Sequence, residues 1–246
     1  MSKRLAWLVV ALVALPLQAH ATILADFTGS LSTADGGLLG TQQWATDTTL
    51  SWHVTFDDTT SLWTYAYNFD APAKGLSHID IEVSNGDDPF TEDNVFAGTT
   101  SHEGPDVFGD EGDSSPGIPE TFYSMKFNGA GDSPDLNFQI VTDRAPMWGD
   151  FYAKDGANQV GTGPNKQKFD VYVYNAGFTS PDSDPNINDF PAADGSVQNH
   201  LLVPDTQEGP PPPPPPPGGV VPEPTSLLLL GTGLLGTFGL NRRRRS

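Results

Sequence analysis

The chain of 246 residues contains no cysteine, and only 12 lysines and arginines stand against 31 aspartates and glutamates. Without cysteine there is no disulfide framework, no thiolate metal site and no cysteine nucleophile. A formal charge of -19 at pH 7 excludes nucleic acid as a partner, because a phosphate backbone calls for a basic surface. Common catalytic signatures are missing as well: there is no Gly-x-Ser-x-Gly elbow, no His-Glu-x-x-His and no phosphate-cradling glycine loop. With this many carboxylates, some pair will always be spaced like a glycosidase dyad, so such a pair carries no weight. Outside the two termini no segment shows an apolar stripe of helical period. What is abundant is glycine (26) and proline (23), the composition of a turn-rich domain with biased ends.

The N-terminus has the order of a secretory signal, expected over residues 1–21. Lys3 and Arg4 supply the positive region and Leu5 to Leu15 the apolar one. Ala19-His20-Ala21 is a small-x-small cleavage site, which puts the mature start at Thr22. The apolar run falls well short of the roughly 20 residues that span a bilayer.

The C-terminus has four parts. Eight consecutive prolines, Pro210 to Pro217, lie within a linker expected over 204–220. In the polyproline II form they make a stiff spacer of roughly 25 Å. Pro222-Glu223-Pro224 follows, then an apolar stretch expected as a transmembrane helix over 225–241, then Arg242, Arg243, Arg244 and Arg245. Pro224 disfavours helix before it, and Thr225 or Ser226 can cap the helix after it. At 1.5 Å per residue the helix reaches about 24 Å, slightly short for a bilayer core. The arginines act as a stop-transfer cluster that stays cytoplasmic.

In that order, residues 221–246 resemble the PEP-CTERM sorting signal of Gram-negative bacteria. The resemblance implies recognition by exosortase, a membrane-embedded cysteine protease-transpeptidase, with cutting near Pro222-Glu223-Pro224. It further implies a transient inner-membrane anchor, then a cell-surface or extracellular destination, and an association with exopolysaccharide and biofilm.

Between the signals lies the expected exported domain, 22–203. Six of the 12 basic residues and one acid, Glu223, belong to the terminal signals, so the mature body from Thr22 to about Pro222, this domain with its linker, carries 6 basic and 30 acidic residues, or -24. Such a surface favours solubility and repels other anions. Leu50 to Phe56 and Trp63 to Phe69 alternate apolar and polar residues around the turn-forming Asp57-Asp58-Thr59-Thr60-Ser61, which predicts a hairpin with one aromatic face in the core. Ser77 to Val83, Thr121 to Phe127, Asp135 to Val141, Gly149 to Ala153 and Lys168 to Tyr174 read as further strands. Together they predict an all-β antiparallel sandwich, jelly-roll-like or immunoglobulin-like, flanked by a signal helix and a transmembrane helix. Ser84 to Glu120 and Thr179 to Asp194 are too long for tight turns and read as functional loops or insertions.

Several blocks of the body look like recurring blocks in the exported domains of PEP-CTERM proteins. They are Trp63-x-Tyr65-x-Tyr67, Leu76-Ser77-His78-x-x-x-Glu82-x-Ser84, Met125-Lys126-Phe127, the run from Trp148-Gly149-Asp150 to Gly156, and Tyr174-Asn175-Ala176-Gly177-Phe178. The likeness implies a shared β fold.

Strand alternation puts His78, Asp80 and Glu82 on one face, as a metal or acid-base set or, in the plainer reading, as the solvated side of a strand whose Ile79, Ile81 and Val83 enter the core. Trp63, Tyr65, Tyr67 and Trp148 either stack on sugars or fill the core. Two acidic clusters make calcium the candidate cofactor: Asp87, Asp88, Glu92 and Asp93, and then Asp182, Asp184 and Asp189. Neither cluster has the EF-hand pattern. The expectation is a non-enzymatic surface or matrix protein; the alternative is a secreted carbohydrate-binding protein or a carbohydrate-active enzyme using carboxylates.

Overall fold

A computed structural model describes residues 23–109, 115–180 and 183–204. The signal segment, Asp182, the polyproline linker, the sorting motif and the apolar 225–241 stretch lie outside the described residues. The chain divides into two units, Met1–Pro212 and Pro213–Ser246, and all the described residues belong to the first. Among them no helix is long and apolar enough to cross a membrane.

The described body is all-β. Its larger sheets are antiparallel, one with the order β1-β3-β4-β8 and the other with β2-β13-β10-β5-β7-β6. The first comprises β1 (Ile23–Ser32), β3 (Thr49–Asp57), β4 (Leu62–Asp70) and β8 (Leu136–Thr142). The second comprises β2 (Leu38–Gly40), β5 (Leu76–Glu82), β6 (Glu103–Phe108), β7 (Phe122–Gly131), β10 (Phe151–Lys154) and β13 (Tyr172–Asn175). Two small pairs complete the set: β11 (Asn158–Val160) with β12 (Gln167–Phe169), and β9 (Met147–Gly149) with β14 (Leu201–Val203).

The predicted hairpin forms as β3 and β4, in register from Thr49↔Asp70 to Asp57↔Leu62. Asp57 Oδ1 accepts the Thr59 amide at 2.8 Å, and Ser61 takes a left-handed φ of 58° to close the turn. Leu50, Trp52 and Val54 share the buried face with Trp63, Tyr65, Tyr67 and Phe69. The opposite face of the strands is half-buried or exposed. The two large sheets pack through one apolar core. Phe127 of β7 and Phe138 of β8 meet across it at 4.6 Å between ring centroids, with Ile79 and Ile81 of β5 and Phe151 of β10 in the same cluster. Each buried Phe of this kind is worth about 3–5 kcal/mol against Ala.

Three sequence expectations change. Gly149 to Ala153 is two strands, β9 and β10, because the chain leaves the sheet at Asp150. Lys168 to Tyr174 likewise breaks into β12 and β13. The stretch from Ser84 to Glu120 is not all loop: it holds β6, paired with β7, and a turn of 3₁₀ helix at Glu92–Asn94 capped by Thr91.

The ten-residue β1 has no counterpart in the sequence reading. Its inward side is blunted by Gly29, which sits under the Trp52 indole. A Cβ there would stand 2.2 Å from Trp52 Cζ2, so the strand gives up a side chain to make room for a neighbour's ring and loses its alternation.

Candidate functional site

β5 is the middle of the six-stranded sheet, and both its faces are covered. Ile79 and Ile81 enter the core as expected, but the other face is not solvated. His78 is 6% exposed, Asp80 0% and Glu82 9%. The cover is a second apolar cluster of Phe122, Tyr152 and Phe178, with Ile118, Tyr172 and Tyr174 packed against it. The segment before β7 is laid across this face. Tyr152 Oη donates to Pro116 O at 2.9 Å, and Gly117 lies so close to the Tyr172 ring that a Cβ would collide with it.

The polar groups beneath this cover and at its exposed edge pair with one another. His78 Nε2 is 3.4 Å from Asp80 Oδ2. Lys126, beside Asp80 on β7, reaches Glu103 of β6 at 3.3 Å. Asn128 donates to the same Glu103 at 2.8 Å, and these donors, Asn128 first, hold the Glu103 carboxyl below its usual range. Lys154, next to His78 on β10, has its ammonium pushed below the ordinary lysine value, chiefly by burial. Burial in turn raises the Tyr152 phenol, with the charge of Asp80 second.

At the end of the same strand a second polar cluster forms. Glu82 Oε2 accepts the amide of Asp150 at 2.8 Å. Gly149 allows this approach, because a Cβ there would stand 2.7 Å from that oxygen. Asn175, the last residue of β13, accepts the Phe151 amide at 3.0 Å. Its Nδ2 donates to the Asp150 carboxylate and to Asn199 O at 2.9 Å. Gln198 and Asn199 both have positive φ, 50° and 63°, the double left-handed turn of a type I′ hairpin. That turn delivers His200, whose Nε2 lies 3.6 Å from Asp150 Oδ1. Asp184 completes the group: ligand atoms of Asp150, Asp184 and His200 all lie within 4.8 Å of one another. Asp150 and His200 are buried and Asp184 is exposed.

The residues of the calcium expectation are placed differently. Asp88 pairs with the buried Arg144 guanidinium at 2.7 Å, and Arg144 also reaches Pro89 O and Asn94 Oδ1. Glu92 is 3.6 Å from His102. Asp93 caps onto Thr91 through its amide, and Asp87 is exposed. Among the described residues, Asp87, Asp88, Glu92 and Asp93 do not gather into a group of three ligands. Of the second acidic cluster, Asp184 joins Asp150 and His200. Asp189 donates its amide to Asn186 O at 2.9 Å, and Asp182 lies outside the described residues. Trp63, Tyr65, Tyr67 and Trp148 all lie in the core. Tyr65 and Tyr67 donate there to Arg144 O and Leu202 O.

Sequence reasoning did not single out His200. The available signal was an imidazole directly before the apolar Leu201-Leu202-Val203 in an otherwise acidic stretch. By contrast Glu82, Gly149, Asp150, Asn175 and Gly177 all belong to the blocks that resemble other exported domains, and the fold brings them to one end of the second sheet.

The described body is thus an all-β, antiparallel domain with buried ionic clusters on one sheet. A family model, the PEP-CTERM protein-sorting motif, matches residues 220–245. The chain thus carries a PEP-CTERM sorting motif at 220–245, which indicates an exported, exosortase-processed protein destined for the cell surface. Neither the curated proteins nor the solved structures provide a match.

Proposed function

We propose that this chain is a non-enzymatic component of the cell surface or extracellular matrix, associated with exopolysaccharide. The observation that carries the reading is the sorting motif at 220–245. On this reading residues 1–21 are removed by signal peptidase, cutting after Ala21. The apolar 225–241 segment holds the chain in the inner membrane until exosortase cuts near Pro222-Glu223-Pro224. The layered sheets are the exported sandwich domain, and the polyproline run is its spacer. The body's charge of -24 disfavours an acidic polysaccharide as a direct ligand unless divalent cations bridge the two. The burial of the aromatic hairpin supports a structural role for those rings.

Two measurements test the proposal. Mass spectrometry of surface material should find an N-terminus at Thr22 and no Arg242 to Arg245 tail; intact tails on all surface protein would refute the processing. Incubation with the producer's own polysaccharide should give retention without new reducing ends. Turnover abolished by one carboxylate substitution would instead establish the carbohydrate-active enzyme.

A further inference from the structure

We infer that Asp150, Asp184 and His200 form a binding site for one borderline divalent cation of the zinc type, which ties the 183–194 loop to the end of the six-stranded sheet. The argument begins with the imidazole. His200 Nδ1 lies 3.2 Å from Val197 O, and a carbonyl only accepts, so this nitrogen carries the proton in that contact. Nε2 is thereby turned toward the Asp150 carboxylate, 3.6 Å away. This is the arrangement of a metal-binding histidine, with one nitrogen fixed by a backbone carbonyl and the other presented as ligand.

The spacing fits an ion better than a direct bond. A charge-assisted N–H···O contact closes to about 2.7–2.9 Å. Here Nε2 and Asp150 Oδ1 stand 3.6 Å apart. Two ligands on one tetrahedral ion, each bonded at about 2.1 Å, are separated by about 3.4 Å.

The surroundings orient the ligands. Asn175 holds the Asp150 carboxylate from one side, and Glu82 fixes the Asp150 backbone. Gly177 lies flat against the His200 ring: a Cβ there would stand 2.4 Å from Cε1. No larger side chain fits without displacing the imidazole. Two ligands are buried on the sheet side and the third comes from an exposed loop, so an ion between them would hold that loop in place.

The donor set selects the ion. Calcium and magnesium prefer all-oxygen shells, whereas one imidazole with two carboxylates suits zinc or manganese. The inference is independent of how the chain is sorted or what polysaccharide it meets.

The test is calorimetric titration of the chelator-stripped, tag-free full-length chain with zinc chloride, with calcium chloride as a parallel arm. The expected result is one saturable zinc site, with calcium binding there at least tenfold weaker, on the order of a ligand-class preference. Asp184→Asn, on the exposed loop, should weaken zinc by about tenfold or more. His200→Gln should abolish the site. Zinc should also slow proteolytic cutting within 183–194 in the parent chain but not in Asp184→Asn. Absence of a one-to-one zinc site would overturn the inference, as would zinc binding unchanged by Asp184→Asn or calcium binding tighter than zinc.

Discussion

β3 and β5 carry nearly the same pattern, an apolar residue at every second position with polar residues between, yet the two strands live in different surroundings. On β3 the polar side meets water: His53 reaches Asp26 at 2.8 Å, with side chains 52% and 66% exposed. On β5 the polar side is roofed by the aromatic cluster around Tyr152, and Asp80 is wholly buried. Alternation therefore reports which residues face the shared core, and says nothing of what covers the far side of the sheet. Where that side is covered, the polar residues become partners in buried ionic clusters, because a charge left alone in a low dielectric is strongly disfavoured.

The widest separation between the two strands should appear on removing one carboxylate from each. Asp80→Asn keeps the volume but takes the negative charge from beside His78, beneath the aromatic cover. Breaking a buried pair in this way costs about 3–5 kcal/mol. Removal of Asp26 from its exposed pair with His53 should cost less than about 1 kcal/mol. Chemical denaturation of both variants measures the contrast, and equal losses would mean that the roof over β5 admits water.

A smaller effect probes the first sheet from the inside. Gly29→Ala places a methyl group against the Trp52 indole, where only the ring's displacement makes room. Overpacking of this kind costs about 1–3 kcal/mol. Pairing it with Trp52→Phe should return part of the loss, since the smaller ring vacates the space. A double variant no better than the sum of the two singles would show that Gly29 is required for a reason other than Trp52.

The same contrast explains what could be read from the sequence. The β3–β4 hairpin was legible because one face is core, the other meets water, and Asp57 to Ser61 supply turn chemistry. β1 was hidden because Gly29 yields its place to a ring. β6 was hidden because its sequence, Glu103-Gly104-Pro105-Asp106, reads as loop and becomes a strand only by pairing with β7. The site was half visible. Asp184 stood out as an acid, and Glu82, Asp150 and Asn175 lay in familiar blocks. Their convergence depends on strand order and on the left-handed turn at Gln198 and Asn199, which no local pattern announces. The charge clusters were invisible for the reason given above: the roof over β5 is built from residues 116–118, 152, 172–174 and 178, distant in sequence from the strand they cover.

The smallest of these effects concerns a phenol on the β3–β4 face. Tyr67 stacks on Phe138 at 5.1 Å and donates to Leu202 O at 2.8 Å, within the core. Burial raises its phenol well above the ordinary value of 10.0. In the unfolded chain the group ionises near pH 10. A folded-state pKa that lies higher contributes stability that is fully present below pH 10 and is lost as pH rises toward the folded value. Tyr67→Phe keeps the ring, so at neutral pH it should cost only the hydrogen bond, about 1 kcal/mol. Above about pH 10 the variant should lose stability less steeply than the parent, by up to about 1.4 kcal/mol per pH unit. Lys154 and Tyr152 also titrate at alkaline pH, but both are present in parent and variant, so their contributions cancel in the difference. Denaturation curves measured from neutral pH to about pH 11 decide the matter. Parallel pH profiles would show that the Tyr67 hydroxyl reaches water, and that the core face of the hairpin is less closed than the roofed face of β5.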